Sequence, residues 1–278
     1  MTKRSVHKDI TDYVARGRAA VTIPGAEPVF VNVGPAAFLI LHGWCASAES
    51  VRFLTAGLAE VGYSVLAPTL PGHGTTATDM LRFGPSDWIA AAREAAQLLG
   101  RTHHTVYVLG VSMGGSLALQ LAALEPEIIK ATVTVNAPVF LANPELARTF
   151  MAGSAEELLP GWETPQFVGP PEPEICYPAR SRKSGIDLYA MTGLANDLLP
   201  AVTSPLLVLQ STKDQIVPKE NADAIVLRAK SQVKKVVWLD RSRHSSQLDL
   251  DRERIVLEIA RFVSQTNSAH SQDNELTC

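Results

Sequence analysis

A serine placed between glycines is the feature of this 278-residue chain that most directly predicts chemistry. Ser112 lies in the run Gly-Val-Ser-Met-Gly-Gly, after β-branched apolar residues typical of a buried strand and before the leucine- and alanine-rich stretch 116–124, typical of a helix. Glycine on both sides lets a strand turn sharply into a helix with the serine at the tip. We therefore predict that Ser112 is an exposed nucleophile. The alternative is a serine that only caps the helix.

An acid and a base follow in the order that such a nucleophile needs. Asp214 comes after the apolar run 205–210, and His244 comes after the run 235–239, so both leave the carboxyl end of a predicted strand. Open α/β sheets place their chemistry at that edge. We predict that His244 is the general base and that Asp214 orients it. The alternatives are Asp240 as the acid, a turn role for Asp214 and a surface position for His244.

Two backbone N–H groups are candidates for stabilising the oxyanion that forms during attack. Met113 directly follows the nucleophile, and Trp44 follows the run Phe-Leu-Ile-Leu-His-Gly, which predicts a strand that breaks into a loop. His42 in this loop is interpreted as structural, and His73 in the turn Leu-Pro-Gly-His-Gly is interpreted as a structural residue with satisfied hydrogen bonds. The alternative for the Trp44 segment is a plain strand-to-helix connection.

Six motifs together make the chain resemble a known family. They are L-H-G-W, L-P-G-H-G, G-P-S-D-W, G-V-S-M-G-G, K-D-Q-I-V-P and R-H-S-S-Q-L-D. Over about residues 30–263 the chain resembles bacterial carboxylesterases and monoacylglycerol lipases of the α/β-hydrolase superfamily. The resemblance implies a catalytic triad and an oxyanion hole, and no metal or other cofactor. It assigns these roles to Ser112, Asp214 and His244, and to Trp44 and Met113.

Three features depart from that family. Arg243 stands before the histidine where glycine is common, the N-terminal segment 1–28 is longer than usual, and the cap region is short. We hypothesise that the cation of Arg243 lowers the pKa of His244 or favours acidic substrates.

Alternating strand and helix patterns predict an α/β-hydrolase fold, with a mostly parallel sheet, helices on both faces and a small inserted cap. Strands are predicted at 30–32, 37–41, 63–67, 105–109, 131–136, 206–210 and 236–239. The clearest helices are predicted at 49–61, 87–100, 221–229 and 252–264. We expect the hydrolase core over 29–137 and 201–264, an N-terminal extension over 1–28 and a disordered tail over 265–278.

The stretch 138–200 interrupts the alternation because it is rich in proline and glycine. We predict that it is a lid whose apolar side chains line a pocket for an acyl chain. The alternative is a surface insertion that does not touch substrate. The apolar residues expected in the lid are Met151, Leu158, Leu159, Trp162, Phe167, Tyr177, Tyr189 and Met191.

Composition limits the partners and the compartment. The net charge is -3 and the basic residues are scattered, so we expect no nucleic-acid partner. The three cysteines include no Cys-x-x-Cys pair, which argues against a disulfide framework and a structural zinc site, and Cys45 is interpreted as a small buried apolar residue. The sequence has no signal-peptide pattern and no run of about eighteen apolar residues. We therefore expect a cytoplasmic protein without integral membrane contact.

The expected function is serine-dependent hydrolysis of a small carboxylic ester with a short to medium acyl chain, or of a monoacylglycerol, through an acyl-enzyme. The same residues also serve thioesterases, lactonases, amidases and C–C bond hydrolases, which remain alternatives. A non-catalytic binding protein of the same fold is an alternative from a different class. The sequence does not indicate an oligomeric state.

Overall fold

A seven-stranded sheet forms the centre of the molecule. The computed structural model describes residues 3–161 and 166–275. The strands are β1 (Val29–Val31), β2 (Ala36–Leu41), β3 (Ser64–Ala67), β4 (Thr105–Val111), β5 (Ile129–Val135), β6 (Leu158–Pro160), β7 (Ala179–Ser181), β8 (Leu206–Ser211) and β9 (Lys234–Leu239). The large sheet has the strand order β1-β3-β2-β4-β5-β8-β9, in which β1 pairs antiparallel with β3 and the other neighbours are parallel. The predicted fold and all seven predicted strands are present, with slightly different ends.

Helices cover both faces of this sheet. They are α1 (Lys3–Ala20), α2 (Arg52–Glu60), α3 (Pro85–Thr102), α4 (Met113–Leu124), α5 (Pro144–Met151), α6 (Arg182–Leu198), α7 (Glu220–Arg228) and α8 (Arg252–Glu275). Short 3-10 segments occur at Ala48–Val51, Asp79–Arg82 and Leu199–Ala201. The predicted helix at 49–61 is thus a 3-10 turn that continues as α2.

The alternation of side chains along β2 separates two hydrophobic layers. Phe38 and Ile40 point to the layer that contains buried residues of α2 and α8, whereas Leu39 and Leu41 point to the layer beneath α3 and α4. All four side chains are fully buried. Each such side chain contributes about 1.5–3 kcal/mol of transfer free energy, so the central strands are held firmly from both faces.

The last helix is longer than predicted. The sequence places its end at Ser264, where the apolar periodicity stops, but α8 continues to Glu275. Two side chains explain part of this extension, because Thr266 is buried and Asn267 forms a hydrogen bond with the hydroxyl of Tyr107. The disordered tail predicted over 265–278 thus coincides with the end of α8 as far as Glu275, and residues 276–278 lie outside the described residues.

The N-terminal extension contains a helix that the sequence analysis did not predict. Ile10 and Val14, one turn apart on α1, are buried in the layer that also holds α3. Arg16 forms an ion pair with Glu94 of α3 at 2.7 Å. The segment after α1 is fixed as well, since the N–H groups of residues 22 and 23 both donate to the carbonyl of Gly74. The extension therefore packs as part of the fold.

The insertion between β5 and β8 contains α5, α6 and the antiparallel pair β6–β7. Of the apolar residues predicted to line its pocket, Tyr177 does so, whereas Met191 is buried in the core and Met151 is 74% exposed. Trp162 lies outside the described residues. Among the described helices, none combines the length and apolar character that crossing a bilayer requires.

Candidate active site

Ser112 stands at a sharp turn between β4 and α4. Its backbone has φ 53° and ψ -121°, an unusual conformation for a residue with a side chain. A Cβ atom on Gly110 would lie 1.9 Å from the carbonyl oxygen of Gly114, and one on Gly114 would lie 2.1 Å from that of Leu41. The turn therefore requires glycine at both positions, which is the pattern read from the sequence.

The structure brings Ser112, His244 and Asp214 into one hydrogen-bonded row. His244 Nδ1 lies 2.8 Å from Asp214 Oδ2, and His244 Nε2 lies 3.0 Å from Ser112 Oγ. A carboxylate can only accept hydrogen bonds, so Nδ1 carries the proton and donates a hydrogen bond to Asp214, which leaves Nε2 to accept one from the serine hydroxyl. This is the tautomer in which Nε2 can take a proton.

Asp214 is held by its own loop. Its side chain is fully buried, and Oδ1 accepts hydrogen bonds from the N–H groups of Ile216 and Val217 at 2.8 and 2.9 Å. The other oxygen is thereby left to His244. The alternative acid Asp240 lies elsewhere, with a side chain that is 72% exposed and directed to Arg254.

The charges around His244 raise its pKa above the ordinary value. Burial of the ring by itself lowers the pKa, but the charge and hydrogen bond of Asp214, together with the charge of Glu174, outweigh this effect. The hypothesis that the cation of Arg243 lowers the pKa of His244 stays a prediction, since the net rise reflects the neighbouring carboxylates.

The loop after β2 lies directly against the serine. A Cβ on Gly43 would be 3.5 Å from Ser112 Cβ, and Trp44 lines the same cavity as Ser112. His42 Nδ1 donates to the carbonyl of Gly43 at 2.8 Å, so it fixes the peptide group that also carries the Trp44 N–H. Met113 is the first residue of α4, a position whose N–H has no acceptor within the helix. The two predicted oxyanion donors thus flank Ser112 in space or in sequence.

The two histidines interpreted as structural are both buried. His42 Nε2 accepts from the Leu70 N–H at 3.0 Å, and burial lowers its pKa to about 4. Burial and the nearby His42 lower the pKa of His73 to about 3. Only one side of the His73 ring is satisfied, however, because Nε2 has no hydrogen-bond partner among the described residues. The expectation of full satisfaction was wrong here, since Nε2 is enclosed in an aromatic cluster that includes Trp88.

A cavity at Ser112 is lined by both apolar and polar side chains. Leu141, Leu146 and Leu188, all from the insertion, provide apolar surface. Glu174 supplies a carboxyl group, and burial raises its pKa to about 7. Gln247 also lines the cavity, and its Oε1 is buried without a partner in the described part of the chain. The cavity can therefore accept a molecule with an apolar chain and a hydrogen-bonding end.

Sequence reasoning missed Glu174 and Gln247. Glu174 follows a proline-rich segment, and its position near His244 depends on how the insertion folds back over the sheet. The nearest local signal was for Gln247, which comes three residues after the predicted base. The same loop contains Asp249, whose carboxylate accepts from the N–H groups of Val168, Gly169 and Arg243 at 2.8, 2.9 and 3.2 Å.

Comparison with known proteins identifies the family of this chain. Residues 38–258 match the model of a family described as the alpha/beta hydrolase family. The chain belongs to the alpha/beta hydrolase family. The predicted family and fold class are thereby confirmed.

Relatives within the alpha/beta hydrolase family cover almost the whole chain. A thermostable monoacylglycerol lipase of Bacillus sp. (strain H-257) is 32% identical and matches 87% of this chain and 96% of its own length. A carboxylesterase of Bacillus subtilis (strain 168) is 26% identical, with 86% and 96% covered. A solved structure described under LipS and LipT, two metagenome-derived lipolytic enzymes, is 33% identical with a TM-score of 0.84, and 88% of this chain and 99% of that chain are covered.

Proposed function

We propose that this protein hydrolyses carboxylic esters through an acyl-enzyme formed on Ser112. The observation that carries the proposal is the row of side chains in which His244 lies 3.0 Å from the serine hydroxyl and 2.8 Å from Asp214. This geometry suits transfer of the serine proton during nucleophilic attack. The names of two relatives, monoacylglycerol lipase and carboxylesterase, support the same reaction.

In the acylation step, Ser112 Oγ attacks the ester carbonyl while His244 Nε2 takes the hydroxyl proton. The N–H groups of Trp44 and Met113 donate to the oxyanion of the tetrahedral intermediate. Loss of one such donor typically costs about 3 kcal/mol of transition-state stabilisation. His244 then gives the proton to the leaving alcohol as the bond between the acyl carbon and the alkoxy oxygen breaks.

In the deacylation step, a water molecule takes the place of the alcohol. His244 removes a proton from this water as it attacks the acyl carbon, and returns the proton to Ser112 Oγ when the acid leaves. Asp214 keeps Nδ1 protonated through both steps and stabilises the imidazolium.

The substrate class we propose is an ester with a short to medium acyl chain, including a monoacylglycerol. Apolar chain would pack on Leu141, Leu146 and Leu188 of the cavity wall. A free hydroxyl on the alcohol would find a partner in the carboxyl group of Glu174, which lies close enough to His244 to affect its pKa. We therefore propose that the alcohol part of the substrate carries at least one free hydroxyl group.

A fluorophosphonate probe, which phosphonylates activated serines, tests the nucleophile. We expect rapid labelling of the wild-type protein, none of S112A, and normal labelling of S50A, which removes another hydroxyl from the cavity wall. A folded wild-type protein that does not label would support a non-catalytic binding protein instead.

A substrate series then tests the ester class. We expect turnover of p-nitrophenyl esters and monoacylglycerols of matched chain length, lost in S112A, with slower turnover of the corresponding thioesters and amides. Faster turnover of thioesters or amides than of esters would contradict the proposed substrate class while leaving Ser112 as the nucleophile.

A further inference from the structure

A buried asparagine contacts the loops that carry two of the three proposed catalytic side chains. Asn136 directly follows β5, and β5 lies between β4, which leads to Ser112, and β8, which leads to Asp214. The residue is fully buried, with φ 50°, in the left-handed region that few residues other than glycine and asparagine adopt readily. Such a conformation persists only where surrounding contacts hold it.

The carboxamide of Asn136 links the end of β8, which leads to Asp214, with the loop that carries His244. Its Oδ1 accepts from the N–H of Ser211, the last residue of β8, at 2.7 Å. Its Nδ2 donates to the carbonyl of His244 at 2.7 Å and to Ser246 Oγ at 3.0 Å, with a longer contact of 3.4 Å to the carbonyl of Arg243.

The nucleophile is held by the residue next to this asparagine. The N–H of Ser112 donates to the carbonyl of Val135 at 2.8 Å. The dipeptide Val135-Asn136 is therefore hydrogen-bonded to the nucleophile itself, to the strand end before the acid and to the backbone of the base. The Asn136 side chain joins the loop of the base to the end of β8, beside a second link in which the Ser211 hydroxyl donates to the carbonyl of Ser242 at 2.7 Å.

We propose that Asn136 is a positioning residue that sets the distance from His244 to Ser112 and Asp214. The inference rests on the proposed function of these three residues. Asparagine suits the position because it tolerates positive φ and supplies both an acceptor and a donor. Glycine would keep the backbone conformation but leave the Ser211 N–H and the His244 carbonyl without this partner. Aspartate would direct a second oxygen at that carbonyl.

The test compares N136G with T134V. Thr134 is two residues earlier on β5 and equally buried, but its hydroxyl has no hydrogen-bond partner among the described residues. We expect N136G to lower kcat for a p-nitrophenyl ester ~100-fold, because a misplacement of about 1 Å can cost that much, while KM changes less than about threefold since the cavity walls are intact. T134V is expected to keep both constants.

Thermal unfolding and fluorophosphonate labelling of each variant separate the outcomes. A folded N136G with wild-type kcat, or a T134V that loses as much kcat as N136G, overturns the role of Asn136. An unlabelled wild-type protein contradicts the proposed function instead. If N136G does not fold, N136D is the second variant, with the same expected loss of kcat at unchanged KM, and wild-type kcat in N136D overturns the inference.

Discussion

The floor and the roof of the cavity are held by different kinds of contact. The floor consists of Ser112, Asp214 and His244 at the ends of central strands, where glycines and backbone hydrogen bonds fix the chain. The roof is the insertion 138–200, in which α6 packs on the core through Met191 and Ala195, while the segment before α6 is held in part by individual side chains. Tyr177 shows this, since its hydroxyl donates to the carbonyl of Gly72 at 2.8 Å. From this difference we expect changes in the floor to act mainly on the reaction rate, and changes in the roof to act mainly on substrate binding and stability.

The largest effect is expected in the floor, from D214N. An amide cannot stabilise the imidazolium and favours the wrong tautomer of His244, so kcat should fall by about 10⁴-fold. Steady-state hydrolysis of a p-nitrophenyl ester measures it. D240N is the matched control, because Asp240 is exposed and pairs with Arg254. A loss of kcat in D240N with a normal D214N would reverse the assignment of the acid.

Glycine-to-alanine substitutions compare how strongly the floor and the roof constrain the backbone, measured as a change in the free energy of unfolding. In G114A the added methyl would collide with the backbone oxygen of Leu41, and we expect a loss of about 3 kcal/mol or more. In G193A, on helix α6 of the roof, no atom lies within 4 Å of the added Cβ, so a gain of about 0.5–1 kcal/mol is expected. Urea unfolding measures both. Equal effects at the two sites would remove the distinction between floor and roof.

Loosening the roof should affect stability and binding more than turnover. Y177F removes a hydroxyl that donates to Gly72 and accepts from the N–H of Thr75 at 2.9 Å, so about 1–3 kcal/mol of stability is expected to be lost. KM should rise while kcat is retained. Y189F serves as the control, because that hydroxyl makes one weaker contact with Asn143 at 3.2 Å. A fall in kcat with unchanged KM in Y177F would contradict this prediction, because Tyr177 would then act on the reaction step rather than on binding.

The smallest effect is expected where a residue of the roof, Glu174, acts on a residue of the floor, His244. The carboxylate of Glu174 raises the pKa of His244, and His244 acts as a base only when neutral. In E174Q the pKa of His244 should fall, so the acidic limb of the kcat/KM profile should move to lower pH by a fraction of a unit. E172Q, which removes a carboxylate paired with Arg252, should leave the limb in place. A shift to higher pH in E174Q would contradict the arrangement.

The residues of the floor could be predicted from the sequence, whereas the position of Glu174 in the roof could not. The glycines around Ser112 and the apolar strands before Asp214 and His244 are local patterns, and they locate those residues because parallel strands end at one edge of the sheet. Glu174 has no such pattern, since its place depends on the path of the whole insertion. Asn136 was predicted only as the end of a strand, because its role arises from contacts with residues more than seventy positions away.

Helix α1 has a practical consequence for anyone who trims this protein. The family match begins at residue 38. Ile10 and Val14, which precede it, pack on the apolar face of α3. A truncated protein that starts at residue 38 would expose this apolar face to solvent, and exposed apolar surface promotes self-association. A truncated form should therefore keep helix α1.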